Sequence, residues 1–404
     1  MKWQISKIRI LALLIFIGYS GATTMAQIRI SGTVVDAANK GPVAAASVFI
    51  SNTSKGTVTQ KNGSFELVLT AAGSYDVVFQ CIGYTTQVKS IMVKASIDSL
   101  FVQLQPAENQ LQEVIVRSAD ANGWTKYGDF FLEQFIGKHP AAAYCKIKNK
   151  EAVKFTFSKS KNTLTAFATE PLIIQNDYLG YTINYSLTLF EFNYNTQVFL
   201  YQGYPLFQEQ YKVSKRKREK QLQRRAEVYQ GSLMHFMRSF YRNKLLENGF
   251  EVRQIITQKA NVNTQPTVAN STAVLGKMPD YLKVSRPVTS VPSNLRFINS
   301  NILPSDSFGY VVDSNTALLE FPDELHVHFT ERTPETAYSP GLIMRQQTRS
   351  PLNLYGLVSE IKFPYKQGVL VYANGSFFNG RNLLTSGYWA WSEKLSTMLP
   401  LDYK

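Results

Sequence analysis

Between residues 28 and 104, apolar and polar positions alternate in short runs, broken about every ten residues by turn-forming residues. The pattern predicts seven strands, near 28–35, 43–51, 56–59, 64–70, 75–80, 84–93 and 99–104. Short strands so punctuated build a small β-sandwich. The breaks are Asn39-Lys40-Gly41-Pro42, Ser54-Lys55-Gly56, Asn62-Gly63 and Ala72-Gly73-Ser74. Asn62-Gly63 is the sharpest, because a tight hairpin needs positive φ at its central residues.

A polar stretch, Gln105 to Gln110, and the run Leu111-Gln112-Glu113-Val114-Ile115-Val116 lead into a different pattern, aromatic and mixed, from Asp129 onward. Phe130 to Ile136 reads as a short helix ended by Gly137, and Val153–Phe157, Thr163–Ala168, Tyr181–Phe192 and Gln197–Tyr201 read as strands. One continuous helix is predicted from Ser214 to Glu247. Leu222, Ala226, Tyr229, Leu233, Phe236 and Phe240 recur at steps of three and four as its core stripe, and Asn248-Gly249 supplies the stop. Residues 255–310, rich in Thr, Asn, Ser and Pro, read as a long irregular insert. Beyond it, Ala317–Phe321, Glu324–Thr330, Ser359–Phe363 and Val369–Ala373 read as strands and Glu393–Leu399 as a terminal helix.

The fold class expected is mainly β with an α+β C-terminal part: a seven-stranded sandwich at 27–105, a linker at 106–125, and an aromatic-rich α+β domain at 126–404 with one long basic helix. Ahead of these, Lys2, Lys7 and Arg9 precede an apolar run from Ile10 to Tyr19, and small residues lead to Ala26. That order predicts a signal peptide over residues 1–26, hence an exported chain, periplasmic, outer-membrane-associated or extracellular. The apolar run falls short of the about 20 residues of a membrane helix, and no later run matches it, so no transmembrane span is expected. No cysteine lies near the cleavage point to carry a lipid.

Cleavage would lower the formal charge from +14 to +11, still basic enough to favour polyanions. Lys212 to Arg225 carries eight basic residues against one acid, Glu219, and concentrates that charge at the start of the helix. The candidate anion or ligand surface is Lys215, Arg216, Lys217, Arg218, Arg224, His235, Arg238 and Arg242, the last four sharing a helix face with Lys217 and Gly231. A solvated charged face explains the same residues. Export favours an anionic lipid headgroup, a glycan or an envelope protein as partner over nucleic acid, for which no binding motif is present.

The strand motifs Ile30-Ser31-Gly32-Thr33-Val34-Val35-Asp36, Gly41-Pro42-Val43 with Ala46-Ser47-Val48, Gly56-Thr57-Val58-Thr59, Asn62-Gly63-Ser64-Phe65 and Ile82-Gly83-Tyr84 resemble the carboxypeptidase-like regulatory domain family. The resemblance covers about a fifth of the chain. It implies a transthyretin-like sandwich without catalytic residues, often at the front of Bacteroidota envelope proteins. Leu111 to Val116 is similar to the segment that follows this module in TonB-dependent transporters. A transporter needs about 22 membrane strands behind its plug, more than the roughly 290 following residues supply. The second region also resembles a Bacteroidota family carrying this module in front, through Glu170-Pro171-Leu172-Ile173-Ile174, Leu179-Gly180-Tyr181, Tyr229 to Phe236, Gly387 to Trp391 and Leu399 to Tyr403. That likeness implies an envelope address and no reaction.

Catalytic chemistry has few candidates among the four histidines, His139, His235, His326 and His328. None has the His-x-x-Glu spacing of a zinc carboxypeptidase. His326 and His328, two apart on a strand, share a face and with Asp323 or Glu324 form a weak metal alternative. Ser232 and His235 are one helical turn apart, but no orienting carboxylate or oxyanion hole is legible. An envelope hydrolase using His235 or the His326/His328 pair is therefore the alternative to a non-catalytic binding or assembly protein. No cofactor is expected. Trp389 and Trp391 are candidate glycan-stacking residues, with core packing the competing role. Cys81 and Cys145 are free to pair in an oxidising compartment or to serve as small buried residues.

Overall fold

A computed structural model describes residues 27–69, 71–107, 119–196, 198–259, 294–339, 348–349 and 356–404. The signal-peptide segment 1–26, the run Leu111 to Val116 and the middle of the 255–310 insert lie outside the described residues.

The first seven strands form as their alternation dictates: β1 (Ile28–Asp36), β2 (Ser47–Ile50), β3 (Gly56–Val58), β4 (Ser64–Leu69), β5 (Gly73–Gln80), β6 (Gln87–Val93) and β7 (Ile97–Leu104). They make two facing sheets, β4-β1-β7 and β3-β2-β5-β6. Ile30, Val34, Val48, Val77, Phe79 and Val102 are fully buried between them. Gly63 sits at φ 76° in the predicted turn, where a Cβ would meet the Val34 carbonyl oxygen at 2.4 Å. Alternation lapses in β2 and β5, where Phe49 and Val78 pair across the strands and are also buried. Leu206 of the second region reaches Gly56 beside Phe49, so the middle strands of this sheet are covered on both faces.

The second region opens with α1 (Gly123–Phe135), which starts at the end of the segment read as linker and runs through most of the helix read at Phe130 to Ile136. Its Phe131 and Phe135 pack on a sheet of β8 (Cys145–Ile147), β9 (Val153–Ser158), β10 (Thr163–Ala168), β11 (Leu172–Asn176), β12 (Tyr181–Asn193) and β13 (Val198–Glu209). The order is β8-β11-β12-β10-β9, with β13 along the other side of β12. Phe131 meets Phe155 and Phe190 at ring separations of 5.7 and 4.8 Å, which explains the aromatic composition.

Next come α2 (Lys215–Tyr229) and α3 (Leu233–Tyr241), two helices where the periodicity predicts one. A six-stranded sheet follows, from β14 (Phe250–Lys259), β15 (Asn294–Ile298), β18 (Glu324–Phe329), β19 (Thr348–Arg349), β20 (Leu357–Lys362) and β23 (Leu384–Gly387), ordered β19-β15-β14-β18-β20-β23. A four-stranded sheet, β16 (Gly309–Asp313), β17 (Thr316–Leu319), β21 (Val369–Tyr372) and β22 (Phe377–Phe378), stands beside it. Phe236, Phe240, Phe250, Val327, Val371 and Trp389 fill their shared core. The ends of the segment read as an irregular insert are thus paired strands, β14 and β15. The terminal helix falls earlier than predicted, at α4 (Tyr388–Ser392), because Tyr388 and Trp389 are its buried residues.

The two regions interlock. Phe207 N–H donates to the Thr53 carbonyl at 2.9 Å, Asn52 N–H to Pro205 at 2.8 Å, and Leu401 N–H to Asn52 at 2.7 Å. Gln80 bonds Ser186 at 2.6 Å, Asn374 bonds the Tyr75 hydroxyl at 3.1 Å, and Lys94 pairs with Asp313 at 2.7 Å. Asp402 accepts from Ser54 N–H at 2.9 Å and pairs with Lys55.

Candidate functional site

The basic segment docks by hydrogen bonds rather than by its apolar stripe. In α2 the buried residues are Gln221, Arg225 and Val228, whereas Leu222 is 47% exposed and Ala226 faces solvent. The turn after β11 supplies the reason, because its carbonyls need donors once buried. Gln221 donates to the Asp177 carbonyl at 3.2 Å and Arg225 to that of Leu179 at 2.7 Å. Arg225 also pairs with Glu209 and lies 3.9 Å over the Tyr181 ring. Hydrophobic periodicity cannot register such a polar dock, so Leu222 and Ala226 of the predicted stripe are corrected, whereas Tyr229 is half-buried against the core.

With that face inward, Lys215, Arg216, Lys217, Arg218 and Lys220 are all exposed. Lys217 pairs with Asp177 at 3.2 Å and Arg218 with Glu209 at 3.6 Å. Among the described residues no carboxylate pairs with Lys215, Arg216 or Lys220. Arg224 is half-buried, its guanidinium 4.1 Å from the Tyr178 ring and 5.0 Å from that of Tyr144. Burial pushes up the Asp177 carboxyl, but hydrogen bonds from Gln175 and Lys217 and the charges of Lys217 and Lys148 outweigh it and hold its pKa below the usual range.

The remaining predicted members of this surface do not join it. Gly231, at φ 77°, breaks the helix, and a Cβ there would strike Leu357 and Phe329 at 2.6 and 2.7 Å. Ser232 then caps α3, its hydroxyl accepting from His235 N–H at 3.0 Å. The imidazole of His235 packs tilted against Tyr229 and edge-on to Phe250, and its Nδ1 accepts from Gly231 N–H at 3.2 Å. Burial, with the charges of Arg238 and Arg242, pulls its pKa down to about 4. Neither group of the Ser232/His235 pair meets the other as nucleophile and base. Arg238, read as outward, is buried and donates to the carbonyls of Asn374, Leu401 and Tyr403 at 2.9, 3.0 and 2.9 Å. Arg242 is exposed at the far end of α3.

His326 and His328 do share a face of β18, and both are buried. That face is a charged layer. Arg253 opposes His326 on one side and Glu360 on the other, while Glu251 opposes His328. Arg296 bridges Glu324 and Glu360. Burial, then the charges of His328 and Arg253, pulls the His326 pKa down to about 4. Among the described residues no three histidine, cysteine or carboxylate groups are placed to hold a metal ion. Adjacent guanidinium groups oppose a cation there in any case.

Of the two tryptophans, Trp389 belongs to the core and Trp391 is half-buried. Trp389 is 1% exposed, and its Nε1 donates to the Gly231 carbonyl at 2.7 Å. Trp391 packs against His139, Tyr338 and Tyr388 at ring separations of 5.4, 5.3 and 5.7 Å. Both thiols are free. Burial raises that of Cys145 to about 12.

Sequence reasoning missed Tyr144 and Tyr178, which complete the surface around Arg224, and His139, which fixes its base. His139 Nδ1 accepts from Ala141 N–H at 3.0 Å and Nε2 contacts Glu335 at 3.0 Å. Burial disfavours the Glu335 carboxylate, yet His139, Arg332 and Tyr388 together bring its pKa down to about 2. The legible signal was His139-Pro140, a capped start to the short 3-10 turn Pro140–Tyr144.

No curated protein is similar to this chain at a significant level. Among solved structures, a type II cohesin–X-dockerin complex from Acetivibrio cellulolyticus is 27% identical, over 20% of this chain and 59% of that one, at a TM-score of 0.18. This chain thus spans less than two thirds of that protein. A DUF3823 family protein from Bacteroides ovatus is 13% identical, over 45% and 81% of the two chains, at 0.17. A protein from Bacteroides uniformis, provisionally described as carbohydrate-binding, is 12% identical over 45% and 79%, also at 0.17. TM-scores this low describe no shared global fold. The family model of the CarboxypepD_reg-like domain matches residues 30–116, and with the seven strands in two sheets this makes the front of the chain a CarboxypepD_reg-like domain.

Proposed function

We propose that this is a non-catalytic binding or assembly protein of a Gram-negative cell envelope, exported by residues 1–26 and resident in the periplasm or at the outer membrane. Its CarboxypepD_reg-like sandwich acts as a docking module, and α2 presents a basic surface to an anionic envelope component. One observation carries the reading: α2 is anchored through Gln221 and Arg225, so Lys215, Arg216 and Lys220 project into solvent without carboxylate partners among the described residues. Clustered like charge raises the energy of the free surface, and an anionic partner relieves it.

The test is charge reversal. Lys215→Glu, Arg216→Glu and Lys220→Glu spare the Lys217–Asp177 and Arg218–Glu209 pairs, so the fold is kept. The triple variant is expected to lose envelope association in fractionation and binding to phosphatidylglycerol vesicles, and added salt should weaken the wild type similarly. Unchanged fractionation and vesicle binding would sink the proposal. The hydrolase alternative gains no support, since Ser232 and His235 each have a backbone partner and His326 and His328 lie within a charged layer.

A further inference from the structure

Tyr144 ends the short turn anchored by His139, and its carbonyl accepts from Asp177 N–H at 3.0 Å. Tyr178 leaves the next residue, in a turn fixed by Leu179 N–H to Asn176 at 3.0 Å. The two rings lie 5.6 Å apart at 49°, and Arg224 closes over both from α2. Lys217 pairs with Asp177 at 3.2 Å beside the site, and the charge of Lys148 reaches the same carboxylate. Of its acids, Asp177 is engaged by Lys217 and Gln175 and Glu335 by His139 and Arg332, while Glu227 accepts from Gln223 at 2.9 Å and keeps its charge.

Two observations point outward from this cluster. Arg224 has no carboxylate or carbonyl acceptor among the described residues, although it is half-buried. A guanidinium whose faces lie on rings keeps its edge N–H groups for a planar anion. Tyr144 is 47% exposed even with Arg224 5.0 Å from its ring centroid, and it is held from behind, so it offers the remaining face of its ring at little entropic cost.

We propose that Tyr144, Tyr178, Arg224, Lys148 and Lys217 form a binding site for an acidic polysaccharide, a pyranose ring lying on Tyr144 and its carboxylate on Arg224. This rests on the reading of α2 as an anion-binding surface and names its ligand class. A membrane fits less well. The outward face of α2 intersperses Glu219, Gln223 and Glu227 among its cations, and its exposed apolar residues, Leu222 and Ala226, fall short of the continuous stripe that an interfacial helix buries. Nucleic acid fits less well too, because single strands stack on successive open rings and Arg224 covers Tyr178.

The experiment titrates the full chain with polygalacturonate, with neutral dextran and with phosphatidylglycerol vesicles. Wild type should bind polygalacturonate and not dextran. Tyr144→Ala should weaken polygalacturonate binding about tenfold and leave vesicle binding unchanged, since the ring contributes no charge. Tyr144→Phe should restore it, and Arg224→Ala should abolish it. Equal binding of dextran, or Tyr144→Ala behaving as wild type, overturns the site. Vesicle binding without polygalacturonate binding overturns the site while the broader reading stands. Failure to bind either overturns both. Tyr144 is exposed at the surface, so an unchanged melting temperature will separate lost contact from lost fold.

Discussion

Three basic side chains on neighbouring helices meet different fates, and the difference lies in what each guanidinium or ammonium finds nearby. Lys215 finds water, whereas Arg225 and Arg238 find buried carbonyls that would otherwise lack donors. Arg225→Ala should destabilise the protein by about 3 kcal/mol in denaturant unfolding, because Glu209 and the Leu179 carbonyl lose their donor. Lys215→Ala should stay within about 0.5 kcal/mol of wild type. His326 carries a pH signature. Unfolded, it takes a proton near pH 6.5; burial, then the charges of His328 and Arg253, delays this in the fold to about 4. The folded state binds fewer protons in that window, so this group's contribution is intact above pH 6.5 and is lost as pH falls toward 4. The loss amounts to about 3 kcal/mol at most. His326→Leu should reduce that slope and leave the part that His235 contributes over the same window, and a profile parallel to wild type would refute the buried neutral state.

At the scale of elements, the break between α2 and α3 decides where charge is displayed. The sequence contains its signal, Gly231-Ser232, a left-handed residue followed by an N-cap. A continuous stripe of apolar residues masks it, since Leu233, Phe236 and Phe240 extend the spacing of Leu222 and Tyr229. The close approach of Phe329 and Leu357 to Gly231 makes the break obligatory, and those residues arrive from β18 and the start of β20. Residues 400–403 form a second decisive element, a clasp. Arg238 holds the Leu401 and Tyr403 carbonyls while Asp402 takes Ser54 and Lys55 of the sandwich. Asp402→Ala should lower stability by about 1 kcal/mol. Amide exchange at Ser54 should accelerate at least as much as the global change; equal protection there would show that the clasp is idle.

Across the whole molecule, the sandwich is built into the second region rather than tethered to it. Backbone bonds from Asn52 and Thr53 to β13, the covered face of Phe49 and Val78, and the clasp make the contact continuous. Calorimetry should therefore give one cooperative unfolding transition. Two resolved transitions would mean that the module folds and unfolds alone. A fused scaffold also suits the proposed function, because a partner docked on the sandwich and a polyanion on α2 would be held in fixed relation.

The sandwich was readable from residues 28–104 alone, because strand alternation and turn chemistry act between near neighbours and Asn62-Gly63 permits little else. So were β9, β10, β12 and β21 from their alternation, and β18 as a strand although it is buried on both faces. Alternation was no guide at β14, where Arg253 is buried within a charged layer, nor at α2, where Gln221 and Arg225 face inward. There the buried side chains are polar and their partners lie on distant strands and turns. The same holds for the candidate site: its cations stood out as a run in the sequence, but Tyr144 and Tyr178 reach Arg224 only because β8, β11 and α2 pack together. Charge density is a local property of a chain, whereas the pairing that leaves one guanidinium with an open edge and one ring uncovered exists only in the folded arrangement.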